Sequence, residues 1–200
     1  IVKIYNWCDE TRLQATNEAP ACWRDLPGRF RVLYAGNLGS AQALRHVIDA
    51  AGELSSSGNA DVQIILLGNG VQRDELMALV QERQLSNVSF LPQVSVDQVG
   101  NYLLAADALL VHLADDPVFD ITIPQKTQAY LMAGRPIVMA VRGESGALVA
   151  AAGAGITVPP CDAKALARGI LELSVLSSTE LCEMGERGQA FYQQKMSMSN

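Results

Sequence analysis

Short apolar runs of strand length alternate with helical patterns along the chain from residue 30 onward. Such alternation specifies right-handed crossovers between parallel strands, with helices covering both faces of the sheet. The sequence therefore predicts an α/β fold built on an open parallel sheet. The predicted strands are 31–35, 62–67, 88–91, 108–113, 137–140 and 155–158, and the predicted helices are 41–54, 71–83, 96–105, 124–133, 144–152, 163–173 and 179–194.

The predicted helix 124–133 has the clearest start and end in the chain. Pro124 stands at the expected first helical position and Gly134 just past the end. The loop 114–123 would then join the carboxyl end of a buried strand to the amino end of this helix, which is where open parallel sheets bind ligands. Free backbone N–H groups and the helix dipole favour an anion there, and Lys126 adds a positive charge one turn in.

Two glycine-containing loops follow the first and second predicted strands. They are Gly36-Asn37-Leu38-Gly39-Ser40 and Gly68-Asn69-Gly70. Taken singly, each loop is explained as well by a tight turn that needs glycine as by a phosphate site. Together with the helix start near Lys126 they share the carboxyl edge of one sheet, and their joint occurrence favours a phosphate-bearing ligand.

Composition restricts the class of protein. The chain of 200 residues is 49% hydrophobic and 18% charged, which is typical of one well-packed core. A net charge of −6 argues against a nucleic-acid-binding protein, although a nucleotide needs only a local positive pocket. The four cysteines lack the spacing of a zinc site. Nothing resembles a signal peptide or a membrane span, so we expect a soluble domain in a reducing, cytoplasmic compartment.

Other groupings of reactive residues point to weaker alternatives. Adjacent Asp115 and Asp116 form a conceivable metal-binding pair, but adjacent loop carboxylates are usually solvated. His112 ends a buried strand and either reaches the cleft or packs in the core, and His46 is expected to face solvent or a neighbour. Ser145 lacks the Gly-x-Ser-x-Gly spacing of a serine hydrolase, with no suitable histidine after it. The Gly-x-Gly-x-x-Gly fingerprint of NAD-binding proteins is also absent.

Five segments of the chain occur together in a characteristic order. They are Ile4-Tyr5-Asn6-Trp7-Cys8-Asp9, Tyr34-Ala35-Gly36-Asn37-Leu38-Gly39, Leu67-Gly68-Asn69-Gly70, Val88-Ser89-Phe90-Leu91-Pro92, and the block from Ile123 to Val138. In these segments the chain resembles the carboxyl-terminal, donor-binding domain of a bacterial retaining glycosyltransferase of family four, in the surface-polysaccharide subgroup. The first segment is similar to the family's I-P-N-W-x-D motif, and the last to its P-S-K-x-x-E-Y-M-A-x-G-x-P-V block.

The resemblance implies a domain organisation. Residues 29–200 would form the Rossmann-like, nucleotide-sugar-binding half of a two-domain GT-B fold. Residues 1–28 would be an interdomain linker leading into it. The acceptor-binding domain would precede the chain in the same polypeptide, and any contact with the inner membrane would come only through that domain. The abrupt start at Ile1, without an initiator methionine, makes a fragment the expectation.

The resemblance also implies donor-binding residues, in three groups. The diphosphate would lie near Gly36, Asn37 and Gly39. Phosphate and sugar oxygens would be held by Lys126 and by the backbone N–H groups around Thr122 and Ile123. The ribose and base would be bordered by Gly70, Leu91 and Pro92. Tyr130 and Leu131 are expected to pack beneath the site.

Four positions depart from the family pattern. Asn37 and Gln42 stand where many members have an arginine and a lysine, and Ile121 and Ala129 stand where members have two glutamates. The second glutamate normally bonds the ribose hydroxyls. Gln128 is a possible neutral substitute, although it projects about 100° around the helix from Ala129. These departures leave open a weakened or inactive donor site.

We therefore expect a domain that binds a nucleotide-sugar donor, specifically a UDP-sugar. The full enzyme would transfer the sugar with retention of configuration and without a metal or other cofactor. The isolated chain is expected to be inactive, because the acceptor domain is missing. Two alternatives remain. One is a non-catalytic binding or assembly module with a degenerate site. The other is half of a nucleotide-sugar 2-epimerase, for which His112 is the only candidate catalytic group.

Overall fold

A computed structural model describes residues 8, 10, 19–59 and 61–197 of the chain. The motif Ile4-Tyr5-Asn6-Trp7-Cys8-Asp9 therefore lies outside the described residues, apart from Cys8. The described part contains a six-stranded sheet in the order β3-β2-β1-β4-β5-β6, in which all paired strands are parallel. The strands are β1 Phe30–Ala35, β2 Val62–Leu67, β3 Val88–Leu91, β4 Ala108–His112, β5 Ile137–Ala140 and β6 Gly155–Thr157. The predicted α/β fold is confirmed.

In the described residues, five helices connect successive strands and two more follow the last strand, and together they cover both faces of the sheet. They are α1 Arg45–Ser56, α2 Arg73–Glu82, α3 Val96–Ala105, α4 Gln125–Ala133, α5 Gly143–Ala152, α6 Ala163–Ser174 and α7 Ser178–Lys195. None of these helices has the length and apolar character needed to cross a bilayer.

The core consists of two layers because a parallel sheet is buried on both faces. In β1, Val32 and Tyr34 face the cluster packed by α1, α2 and α6. The intervening Leu33 and Ala35 face the cluster packed by α3, α4, α5 and α7. The pleat explains this alternation, because successive side chains of a strand point to opposite faces. In Val62–Leu67 every residue is accordingly buried, and all but Gln63 are apolar.

Two helix starts differ from the sequence predictions. Ala43 has a left-handed φ of 46°, which separates a short 3-10 turn, Ser40–Gln42, from α1, whereas the pattern predicted one helix over 41–54. Pro124 caps α4 instead of forming its first residue, because its ψ of 136° is extended. Gly134 ends α4 with a φ of 65°, as predicted.

The strand order places a crevice at the carboxyl edge of the sheet. The chain proceeds from β1 outward to β3, then returns to the other side of β1 and continues through β4, β5 and β6. Because the chain continues from β1 toward one side of the sheet and from β4 toward the other, the loops after these two strands diverge. Ligands of open α/β sheets bind in the crevice between two such loops.

Cys161 has a left-handed backbone conformation whose strain can be tested by substitution. It precedes α6 with a φ of 58°, and the left-handed conformation costs an L-residue about 1–2 kcal/mol. Glycine avoids this strain but adds about 0.5–1 kcal/mol of unfolded-state entropy. We expect Cys161→Gly to raise the free energy of unfolding by about 0.5 kcal/mol, measured by urea denaturation.

The matched control is Cys182→Gly, at an exposed position within α7. Glycine in a helix interior is unfavourable, so this variant should lose about 1 kcal/mol of stability. Equal destabilisation by the two substitutions would show that Cys161 is not strained.

Candidate functional site

A pocket of about 650 Å³ lies at the carboxyl edge of β1 and β2. The loops after these strands contribute Gly36, Asn37, Gly68 and Asn69. Across the pocket, α4 contributes Gln125, Lys126, Ala129 and Tyr130. The segment after β3 and the helix α3 add a largely apolar wall of Gln93, Val94, Val96, Val99 and Leu103, and Cys8, Ala35 and Leu67 complete the lining.

The two glycine loops are in direct contact. The Gly36 N–H donates to the Leu67 carbonyl at 2.9 Å. Gly36 and Gly68 have φ angles of 146° and 145°, which side-chain-bearing residues rarely adopt. A Cβ atom on Gly68 would lie 2.0 Å from the Gly36 carbonyl oxygen. Gly68 is therefore required by the contact between the loops, and Gly36 by its own backbone conformation.

A second close approach joins the same loops one turn further. The Leu38 N–H donates to the Asn69 carbonyl at 2.8 Å, and the Leu38 carbonyl accepts from Gln72 N–H at 3.0 Å. A Cβ atom on Gly70 would lie 2.4 Å from the Leu38 carbonyl oxygen. The Gly39 N–H donates to the side-chain carbonyl of Gln42 at 3.2 Å. Gly39 and Gly70 thus shape the two loops, but neither lines the pocket.

Lys126 places its ammonium group in an unusual environment. Its Nζ atom lies 3.7 Å from the centroid of the Tyr34 ring. The side chain as a whole is half-buried, yet Nζ is shielded from solvent and has no hydrogen-bond partner within the described part of the chain. Burial lowers the pKa of Lys126 from 10.5 to about 7. A buried ammonium without a hydrogen-bonded partner is unfavourable, so this position favours an anionic ligand.

The loop between β4 and α4 is fixed to the start of α5. The Ser145 hydroxyl donates to the Thr122 carbonyl at 3.0 Å, and Glu144 N–H donates to the Asp120 carbonyl at 2.9 Å. Gly143, with a φ of 69°, is so close that a Cβ atom would lie 1.9 Å from the Asp120 carbonyl oxygen. The buried Ser145 hydroxyl therefore helps to fix the β4–α4 loop.

The remaining predicted donor residues lie outside the pocket lining. Thr122 is exposed and donates its hydroxyl to the Val118 carbonyl at 2.7 Å, while Ile123 is half-buried beside α4. Leu91 ends β3, and Pro92 directly precedes Gln93 and Val94, which do line the pocket. The structure thus brings Gly36, Asn37 and Lys126 together and leaves the others at the margin.

Gln128 does not reach the pocket. It is buried, and the amide orientation that satisfies its hydrogen bonds directs the nitrogen to the carbonyl oxygens of Pro124 and Gln125, at 2.8 Å each. Ala129, the next residue, is the one that lines the pocket. Tyr130 and Leu131 are buried as predicted, and the Tyr130 hydroxyl accepts from Ala35 N–H at 2.9 Å.

His112 is a core residue and does not reach the cleft. Its Nδ1–H donates to the Gln42 carbonyl at 2.8 Å, and its ring stacks on His46 at 6.2 Å. Burial lowers the pKa of His112 to about 4, against a smaller raising effect of the Gln42 carbonyl. The described pocket lining contains no Asp, Glu or His.

The adjacent carboxylates of Asp115 and Asp116 each have a partner within the protein. Asp115 forms an ion pair with Arg142 at 3.0 Å, and the Asp116 carboxylate accepts from Val118 N–H at 2.9 Å. Across the described residues, no group of three or more His, Cys, Asp or Glu side chains is arranged to hold a metal ion.

Comparison with known proteins identifies the family. A sequence model of the family described as glycosyl transferases group 1 matches residues 29–175. The chain belongs to this family. Its parallel sheet has the Rossmann-like fold of GT-B glycosyltransferases, and its closely packed glycine loops lie at the carboxyl edge of that sheet.

Relatives agree with this assignment. WcaI of Escherichia coli K12, named as a colanic acid biosynthesis glycosyl transferase, is 30% identical over 88% of this chain and 44% of its own length. HepE of Anabaena, solved in complex with UDP-glucose, has a TM-score of 0.76 and 21% identity over 97% of this chain and 53% of its own. The C-terminal domain of LpcC from Francisella tularensis has a TM-score of 0.70 and 16% identity, with 94% of this chain and 97% of that one covered. The chain thus spans about half the length of WcaI and HepE.

Gly68→Ala tests the contact between the glycine loops of this group 1 domain. The added methyl group would overlap the Gly36 carbonyl and require an unfavourable φ. We expect the free energy of unfolding to fall by at least about 2 kcal/mol in urea denaturation.

Gly52→Ala is the matched control. A Cβ atom on Gly52, which lies within α1, would have no neighbour within 4 Å. Alanine should raise the stability by up to about 1 kcal/mol. A similarly small effect of Gly68→Ala would mean that the loops separate without penalty.

Proposed function

We propose that this domain binds the diphosphate of a nucleotide-sugar in the pocket beside Gly36, Gly68 and Lys126. The observation that carries the proposal is the shielded Lys126 ammonium, which has no hydrogen-bond partner among the described residues. A diphosphate would supply a negative charge and acceptor oxygens at this point. Glycine at both loops permits close approach of the backbone to phosphate.

We further propose that the nucleotide is UDP. In support, HepE, which shares this fold, was solved with UDP-glucose. The base would lie against the apolar wall of Val94, Val99 and Leu103, next to Leu91 and Pro92. An aromatic base gains from such a wall, because apolar surface is removed from water.

The proposed reaction is transfer of a hexose with retention of configuration, without a metal. Departure of the nucleoside diphosphate develops negative charge, which Lys126 and fixed backbone N–H groups would stabilise. The acceptor, a polysaccharide or lipid-linked sugar, would be held by a domain preceding this chain, which also makes any membrane contact. This assignment is supported by the share of WcaI and HepE that the chain spans. The proposed location is the cytoplasm. The isolated chain would bind the donor without transferring its sugar.

A non-catalytic binding module is the second candidate. The feature in its favour is the pocket lining itself, which has Ala129 and Asn37 but no carboxylate within the described residues. Under this alternative, UDP and UDP-sugars would fail to bind selectively over ADP and GDP. Calorimetric titration of the chain with these nucleotides separates the two proposals.

Lys126→Ala tests the diphosphate contact directly. Removing the ammonium should weaken UDP binding about 10- to 100-fold, which corresponds to the roughly 1.5–3 kcal/mol of a hydrogen bond to a charged group. Uridine lacks the diphosphate, so its affinity should change less than about twofold. Isothermal titration calorimetry with both ligands measures the difference.

Lys164→Ala serves as the control, because Lys164 is exposed in the first turn of α6, away from the pocket. Its affinity for UDP should equal that of the unmodified chain. Equal losses of UDP and uridine binding in Lys126→Ala would contradict the assignment of the ammonium to the diphosphate.

UDP binding should also depend on pH. The Lys126 pKa is about 7 in the free protein because burial disfavours the charge, and a bound diphosphate would raise it. Between pH 7 and 8.5 the terminal phosphate is already ionised. Binding should then take up a proton, and affinity should fall by up to tenfold per pH unit as pH rises.

Proton uptake is measured by calorimetry at pH 8 in two buffers of different ionisation enthalpy. The uptake should approach one proton for the unmodified chain and vanish in Lys126→Ala. Affinity that stays constant across this range would show that Lys126 does not titrate on binding.

A further inference from the structure

We propose that Tyr34 is a positioning residue of the anion site. The face of its ring contacts the Lys126 ammonium, and its hydroxyl holds the glycine loop at Asn37. One buried side chain thus positions both the ammonium and the loop backbone that would contact the diphosphate. This inference rests on the proposed function of the pocket. It concerns a residue that does not line the pocket and would not touch the ligand.

The ring contact depends on where Tyr34 lies in the sheet. Tyr34 packs into the core on one face, whereas α4, which carries Lys126, packs on the other. Lys126 therefore crosses the carboxyl edge of the sheet beside Gly36, and a Cβ atom on Gly36 would lie 3.1 Å from Nζ. With Nζ 3.7 Å from the ring centroid, the negative face of the ring stabilises the ammonium.

The hydroxyl contact holds the first glycine loop. The Tyr34 hydroxyl donates to the Asn37 carbonyl at 2.7 Å. The N–H of the same peptide unit belongs to Leu38 and donates to the Asn69 carbonyl at 2.8 Å. The peptide between Asn37 and Leu38 is thus held on both sides. Burial raises the pKa of Tyr34 well above its ordinary value, so the hydroxyl stays a donor at every pH used here.

Among the described residues, the other titratable groups near Lys126 do not supply this stabilisation. The Tyr130 hydroxyl, from α4, is bonded to the Ala35 backbone. His112, from β4, has a pKa of about 4 and is neutral above pH 6. Cys8 lines the pocket and donates its thiol to the Tyr192 hydroxyl at 3.1 Å. The Tyr34 ring is therefore the described group placed to stabilise the Lys126 ammonium.

Two substitutions separate the roles of ring and hydroxyl. Tyr34→Phe keeps the ring and removes the hydroxyl, so UDP binding at pH 7 should weaken about three- to tenfold while the Lys126 titration midpoint stays within about 0.3 pH units. Tyr34→Leu removes both. It should weaken binding further and move the midpoint by at least about half a pH unit, because the ammonium loses the ring that both shields it from water and attracts it.

The measurement combines two readouts on the 200-residue chain. Calorimetry gives the affinities for UDP and for inorganic pyrophosphate. NMR of chains containing ¹³C-labelled lysine follows the Lys126 titration without ligand. Tyr102→Phe, which removes a hydroxyl outside the pocket, controls for loss of a phenol, and circular dichroism checks that each variant folds.

The outcomes distinguish this inference from the function on which it rests. An unshifted Lys126 midpoint in folded Tyr34→Leu, or unchanged UDP binding in both variants, overturns the role of Tyr34 while leaving the pocket assignment in place. An unmodified chain that binds neither UDP nor pyrophosphate overturns the proposed function instead, and with it the positioning role. A shifted midpoint together with graded loss of UDP binding supports both.

Discussion

The approach of the loops after β1 and β2 is the contact on which the rest of the site depends. Parallel pairing of the two strands carries them in register to a common end, from Phe30 opposite Val62 to Ala35 opposite Leu67. Their next residues, Gly36 and Gly68, are then too close for any side chain on Gly68. Because both loops are bare of side chains there, Lys126 can reach over the edge and a ligand can meet the backbone.

The order of strands and helices was predictable from the sequence. A strand that is buried on both faces of the sheet is almost entirely apolar, so each strand appears as a short apolar run. Loop conformation was less predictable. Ala43 has a left-handed backbone in the connection between β1 and α1. In the same connection, the Ala41 carbonyl accepts a hydrogen bond from Ala114 N–H at 2.9 Å. That contact joins two loops distant in sequence, and no local pattern reports it. Helix signals alone therefore extended α1 too far toward its amino end.

The candidate site was predictable where glycine or charge marks it, as at Gly36, Asn37 and Lys126. The apolar wall from Gln93 to Leu103 was missed, although its position after β3 on the same edge was an available signal. Tyr34 carried no signal, because a tyrosine in a buried strand reads as ordinary core. Gln128 remained ambiguous in sequence, and the helical period places it on the buried side of α4.

The fixation of the β4–α4 loop to α5 has a consequence for the energetics of recognition. Ser145, Glu144 and Gly143 hold this loop through side-chain, backbone and steric contacts before any ligand arrives. A loop that is already ordered loses little conformational freedom on association. Under the proposed function, the affinity for a sugar would then depend on the quality of direct contacts, and selectivity among sugars on a rigid loop instead of an adaptable one.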